Sequence, residues 1–113
     1  MRNIDSFIFG DIVVADLPFA DGLKTKIRPV LILAKDKNDY LLMKITSNTE
    51  NRDPIDILLP KDSYNNIEEE ESLIKIKKIW TRSKEILIQK IWTLSDKHYG
   101  LVKKSLQDFI DWL

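Results

Sequence analysis

The chain has 113 residues, the length of one ordinary domain, and can bury about two thirds of its unfolded surface without a disulfide or structural metal. Hydrophobic residues make up 43% and charged residues 32%, normal for a globular protein, and no run approaches the roughly 20 apolar residues of a membrane span. The absence of cysteine excludes disulfides, thiolate metal sites and thiol nucleophiles, and the single histidine, His98, leaves a zinc site short of nitrogen ligands.

The opening MRNIDSFIFGD has no basic start, apolar core or small-residue cleavage site, so a cytoplasmic protein without membrane contact is expected. Residues 12–17 form a β-branched alternating run that suits a strand, broken by Pro18 and the Asp21-Gly22 pair. Residues 19–28 are too long for a tight hairpin and read as a polar loop. Pro29 then opens a second strand, PVLILA, apolar enough to be buried on both faces. Asn38 and Asp39 mark a short turn before a third strand, YLLMKIT, and Ile55, Ile57 and Leu59 mark a fourth with polar Asp56 inside it. Residues 60–71 are polar and turn-rich. Two further strands are expected at 72–80 and 85–93, with TRSK between them as a hairpin connection.

The last segment changes period. Ser95 caps a helix and Asp96 complements its positive end. Tyr99, Val102, Leu106 and Phe109, extended by Ile110 and Leu113, form one apolar stripe at helical spacing, with Gly100 loosening the first turn. Short strands, one long early loop and a closing helix predict a mainly β fold with α: an SH3-like small barrel of five to seven antiparallel strands with a C-terminal helix, one domain over residues 1–113.

The net charge is zero, but its distribution is uneven. Lys24, Lys26 and Arg28 form one acid-free patch, and Lys75, Lys77, Lys78, Arg82 and Lys84 a second, while Glu68, Glu69, Glu70 and Glu71 sit together elsewhere. Local basic patches hold a polyanion even on a neutral protein; the plainer reading is that these lysines solvate strand edges.

Three segments, taken in order, resemble the MazF/PemK toxins of type II toxin–antitoxin systems. The first is GDIVVADLPFADG, residues 10–22, running through a basic loop into IRPVLIL, residues 27–33. The second is KITSN, residues 44–48. The third is SLIKIKKI, residues 72–79, followed by QKIWTLSDK, residues 89–97. The resemblance implies an SH3-like barrel and a homodimer. It also implies cleavage of single-stranded RNA without metal or other cofactor, and silencing by a cognate antitoxin, with DNA contacted only through the antitoxin complex.

Metal-free RNA cleavage uses the substrate's 2′-hydroxyl to attack the adjacent phosphorus. The protein aligns that attack, stabilises charge on the phosphoryl oxygens and manages two protons. Arginine suits the charge, since its planar fork grips phosphate oxygens and stays protonated. Arg28 and Thr46 match the family's catalytic arginine and threonine. Read without the resemblance, Arg28 is a surface arginine paired with Asp16 or Asp21, and Thr46 closes a turn at a strand end. Phe19 suits base stacking or loop anchoring, Lys24 and Lys26 the RNA backbone, and Ser47 and Asn48 base edges. The PemK/Kid branch carries an arginine and an aspartate where this chain has Lys75 and Lys77. Lys75 keeps a phosphate contact, but the aspartate base is missing and the general base is unassigned. His98 is a residue type suited to acid–base work but falls in the helix, far from the other candidates in sequence. Two other readings stand beside a ribonuclease. One is a CcdB-like gyrase poison, given the aromatic end FIDWL; the other is a non-catalytic SH3-like module binding RNA or peptide.

Overall fold

The structure, a computed structural model, describes residues 7–18, 25–59 and 71–113. Among these, six strands precede one helix: β1 (Asp11–Pro18), β2 (Thr25–Asp36), β3 (Asp39–Thr46), β4 (Ile57–Leu59), β5 (Ser72–Ser83), β6 (Leu87–Thr93) and α1 (Asp96–Trp112). All strands join one antiparallel sheet in the order β4-β5-β3-β2-β1-β6.

That order corrects the expected TRSK hairpin. β5 and β6 do not pair; β3, β2 and β1 lie between them. A flat sheet would separate them by four inter-strand steps, about 19 Å. Yet the chain crosses from one to the other through a 3₁₀ turn, Lys84–Ile86, whose three residues rise only about 6 Å. The sheet therefore curls strongly toward a barrel. Lys84 N–H donates to the carbonyl of Asn38 (2.9 Å), seating this crossover on the tip of the β2–β3 hairpin. The expected strand start at residue 85 moves to 87 because 84–86 are this turn.

Curling buries both faces of the central strands, which is why PVLILA shows no alternation. One face collects Ile12, Leu31, Met43, Ile45, Leu59, Ile74 and Ile76, and α1 covers it with Val102 while Tyr99 and Leu106 pack alongside. The other collects Val13, Ala15, Leu17, Val30, Ile32, Tyr40, Leu42 and Leu87, with Trp80 against them. Two irregularities accommodate the bend. Leu33 is an extra residue between the pairs Ile32↔Leu42 and Ala34↔Leu41. On β5, Ile76, Lys77 and Lys78 are extra between Lys44↔Lys75 and Met43↔Ile79.

The Gly-Asp pair at residues 10–11 is structural. Gly10 has φ 87, a left-handed backbone that favours glycine. Its N–H donates to the Ile32 carbonyl (2.9 Å) and its carbonyl accepts from Leu94 N–H (2.8 Å). Buried Asp11 accepts from Ile8 N–H (3.0 Å) and the Thr93 hydroxyl (3.3 Å) and pairs with Lys90 (3.2 Å). These contacts bind the start of β1 to the end of β6. As predicted, Ser95 caps α1, its Oγ accepting from His98 N–H (3.1 Å).

The two glycines among the described residues give opposite expectations. Gly10→Ala lowers stability by about 1–2 kcal/mol, because its backbone is left-handed although an added Cβ meets only Tyr99 Cδ1 at 3.8 Å. Gly100→Ala, in the exposed helix with nothing within 4 Å of its Cβ, raises it by about 0.5–1 kcal/mol. Urea titration of both variants measures the pair.

Candidate active site

β2 begins at Thr25 rather than Pro29, so Lys26 and Arg28 stand on a strand and not in a loop. Arg28 pairs across to Ala15 of β1, and Thr46, the last residue of β3, pairs with Leu73 of β5. Between β2 and β3 the ladder reaches only Val30↔Lys44. Pro29 follows at the point where β2 has β1 as its sole partner, a position that suits a residue with no N–H. Continuing the register by two residues sets Arg28 across from Thr46. The β2–β3 ladder ends before that point, β2 continuing with β1 and β3 with β5.

Side chains alternate along a strand, so Arg28 shares a face with Val30 and Ile32, and Thr46 with Lys44 and Leu42. This face is apolar toward the hairpin, where Ile32, Tyr40 and Leu42 are buried. Toward the other end it becomes basic. Lys44 lies directly opposite Val30 on one side and Lys75 on the other. Lys44 is half-buried, and its proton affinity is lowered first by burial and then by the charges of Arg28, Lys78 and Lys75. Cations from three strands thus act on one another at Lys44, two residues before Thr46 on its strand. Lys44 was absent from the candidates read from sequence, and Lys78 entered only as part of the second basic patch; the alternation of residues 42, 44 and 46 in LLMKIT was the available signal for Lys44.

The Thr46 hydroxyl oxygen accepts from Asn48 N–H (3.1 Å), and Asn48 Oδ1 accepts from Glu50 N–H (3.1 Å). The turn-closing role read from sequence is therefore present. It leaves the hydroxyl proton of Thr46 available for a phosphoryl oxygen. Ser47 and Asn48 are exposed just beyond, and Lys26 is exposed at the start of β2. Phe19 and Lys24 lie outside the described residues.

Lys75 is held differently from the other cations. Its ammonium bonds the Asp56 carboxylate (2.6 Å) and the Asn51 carbonyl (2.9 Å). Asp56 is buried and also accepts from Asp53 N–H (2.9 Å) and Ile76 N–H (3.2 Å). Asp56 was expected inside a strand; β4 starts only at Ile57, and Asp56 ends the turn before it. The neighbouring Lys77 pairs with Asp53 (3.0 Å). This hydrogen bond, with one from Ile55 N–H, holds the Asp53 carboxyl below its ordinary 3.8. Lys75 and Lys77 are therefore both answered by carboxylates from the segment before β4.

His98 lies on α1, which covers the opposite face of the sheet, and its Nδ1 sits 2.9 Å from Ser95 Oγ. It is a capping neighbour, not a member of this cluster. Among the described residues, no three His, Cys, Asp or Glu side chains converge on one point.

The model of the PemK-like, MazF-like toxins of type II toxin–antitoxin systems matches residues 9–110. The chain belongs to that family. No curated protein sequence matches it significantly. Similar solved structures include the Mycobacterium tuberculosis toxin MazF-mt6, 19% identical, with 89% of this chain and 96% of that one covered and a TM-score of 0.70. An endoribonuclease in complex with its cognate antitoxin, from Mycobacterial species, is 13% identical, covers 95% of each chain and has a TM-score of 0.70. The MazE–MazF structure from Deinococcus radiodurans is 14% identical, with 92% and 94% covered and a TM-score of 0.66. At such identities the likeness is one of fold. The family match and the fold agree on a mainly β toxin domain with a C-terminal helix.

Two outcomes test the carboxylate pairs. Asp56→Ala strands Lys75 and frees two backbone N–H groups, and lowers stability by about 3 kcal/mol or more in denaturant titration. The depressed Asp53 carboxyl stabilises the fold fully above its unfolded pKa of 3.8 and loses that contribution as pH falls through its lower folded value. Asp53→Asn therefore shows a shallower loss of stability on acidification below about pH 4 than the parent protein.

Proposed function

We propose that the protein is the toxin of a type II toxin–antitoxin pair and acts as a metal-independent endoribonuclease. It cuts single-stranded RNA, mRNA included, by 2′-hydroxyl attack, leaving a 2′,3′-cyclic phosphate and a 5′-hydroxyl. The observation that supports this reading is the β2–β3 register, which ends at Val30↔Lys44 and, carried on by two residues, would set Arg28 across from Thr46 on one face. A phosphodiester seated between them meets a guanidinium from one strand and a hydroxyl from the other. Arg28 neutralises the charge that builds on the non-bridging oxygens, and Thr46 donates to one of them and fixes the bond to be broken. Lys26, Ser47 and Asn48, together with Phe19 and Lys24, follow the strand on either side, Lys26 on the backbone and Ser47 and Asn48 on the bases. Lys75, held by Asp56, keeps a positive charge at the edge of the site.

The protein works as a homodimer, and its partner is an antitoxin whose extended segment occupies the RNA groove. Support for the antitoxin comes from the family and from the related endoribonuclease solved with its cognate antitoxin.

Incubating the purified protein with a long single-stranded RNA in EDTA yields discrete cuts with cyclic-phosphate and 5′-hydroxyl ends. Arg28→Ala lowers the cleavage rate by about 10²–10³-fold or more and leaves the circular dichroism unchanged. Intact RNA across varied sequences sinks the reading. Gyrase-dependent DNA breaks, or tight RNA binding without cyclic-phosphate product, would replace it.

A further inference from the structure

Lys44 differs from the other lysines held against the sheet. Lys75 has Asp56, Lys77 has Asp53 and Lys90 has Asp11. Among the described residues no carboxylate pairs with Lys44, although it is half-buried. The charges that act on it are positive: Arg28 from β2, then Lys78 and Lys75 from β5, the last opposite it in the ladder and itself paired with Asp56. A partly desolvated ammonium among cations is unfavourable in the free protein, and an anion in their midst removes the conflict. The backbone is arranged to create this spot. β5 gains three residues immediately after Lys75, opposite the step from Met43 to Lys44, and Lys78 stands in that bulge. Lys44 is also two residues from Thr46 on one strand, hence on its face, and directly across from Val30, two residues from Arg28.

We propose that Lys44 is a further catalytic residue, the proton donor to the departing 5′-oxygen of the cut phosphodiester. The inference rests on the endoribonuclease reading and completes one of its two proton transfers. The 2′-oxygen forms its bond to phosphorus and its proton passes to solvent water. The bond from phosphorus to the 5′-oxygen breaks, and that oxygen takes a proton from the Lys44 ammonium and leaves as a hydroxyl. The neutral amine then regains a proton from water. Arg28 cannot take this part, since a guanidinium does not release its proton in the working range. Burial and three neighbouring cations make the Lys44 ammonium a stronger acid than a free lysine, which suits it to the transfer.

The test uses two substrates: an RNA oligonucleotide containing the mapped cut site, and the same RNA with sulfur in place of the bridging 5′-oxygen at that bond. A thiolate leaves without needing a proton. Lys44→Met is expected to slow cleavage of the oxygen substrate about 100-fold or more and to cut the sulfur substrate within a few-fold of the parent rate. Lys44→Arg keeps the charge and RNA binding but shows the same split. Equal rates for parent and Lys44→Met on the oxygen substrate overturn the assignment, and so does equal slowing of both substrates, which marks a binding or structural role. If the parent protein cuts normally while Lys44 variants show either result, only Lys44 is displaced. If the parent leaves both substrates intact, the ribonuclease reading fails and takes the Lys44 assignment with it.

Discussion

The alignment of β2 on β3 is the constraint on which the rest depends. Val30 stands opposite Lys44, and both faces of these strands meet apolar clusters. A slip of one residue would turn Lys44 and Thr46 toward the cluster beneath the helix and bring Ile45 out among the cations. Burying a lysine there without a partner costs several kcal/mol, so the packing of the core and the geometry of the site enforce one register. The Leu33 bulge lets this register persist while the strands bend. The hairpin end then contributes to the curled wall, and at the far end the β2–β3 ladder stops at Val30↔Lys44.

The second organising feature is how positive charge is divided. Lys75 and Lys77 are bound by Asp56 and Asp53, both from the turn that leads into β4. These carboxylates do more than balance charge. Asp56 is buried and grips two backbone N–H groups, so it fastens the segment after Thr46 to β5 and orders the exit from the site. Lys44 and Arg28 have a different setting, at the point where the strands part. The same short stretch of sheet thus holds lysines in two settings, Lys75 and Lys77 tied to carboxylates and Lys44 half-buried beside other cations.

The opposite face shows why the helix is not part of this chemistry. α1 completes the apolar layer over Ile12, Leu31, Met43 and Ile74, and its histidine serves the N-terminal cap. Covering that layer stabilises the curled sheet from behind and leaves the basic end of the other face uncovered by the helix. The Gly10–Asp11 turn performs a related task at the seam, fastening β1 to the end of β6 and to β2.

Local pattern was enough to foresee the strands, the helix with its Ser95 cap and the family. Alternation, turn residues and segment order carry that information directly. Four things depended on long-range geometry. The TRSK segment looks like a hairpin because hairpins are local, whereas here it joins strands on opposite sides of a curled sheet. β2 extends back to Thr25 because β1 offers it a partner, which no property of residues 25–28 announces. Asp56 reads as a polar interruption in a strand until Lys75 is seen 2.6 Å away, 19 positions on. Lys44 reads as a surface lysine until the register sets it between two other strands, where burial and neighbouring cations change its chemistry. The sequence by itself determined which residues alternate, cap and turn, since those are properties of neighbours along the chain. Tertiary structure alone decided which charges are paired and which lie among other cations, since that follows from strands meeting across the sheet.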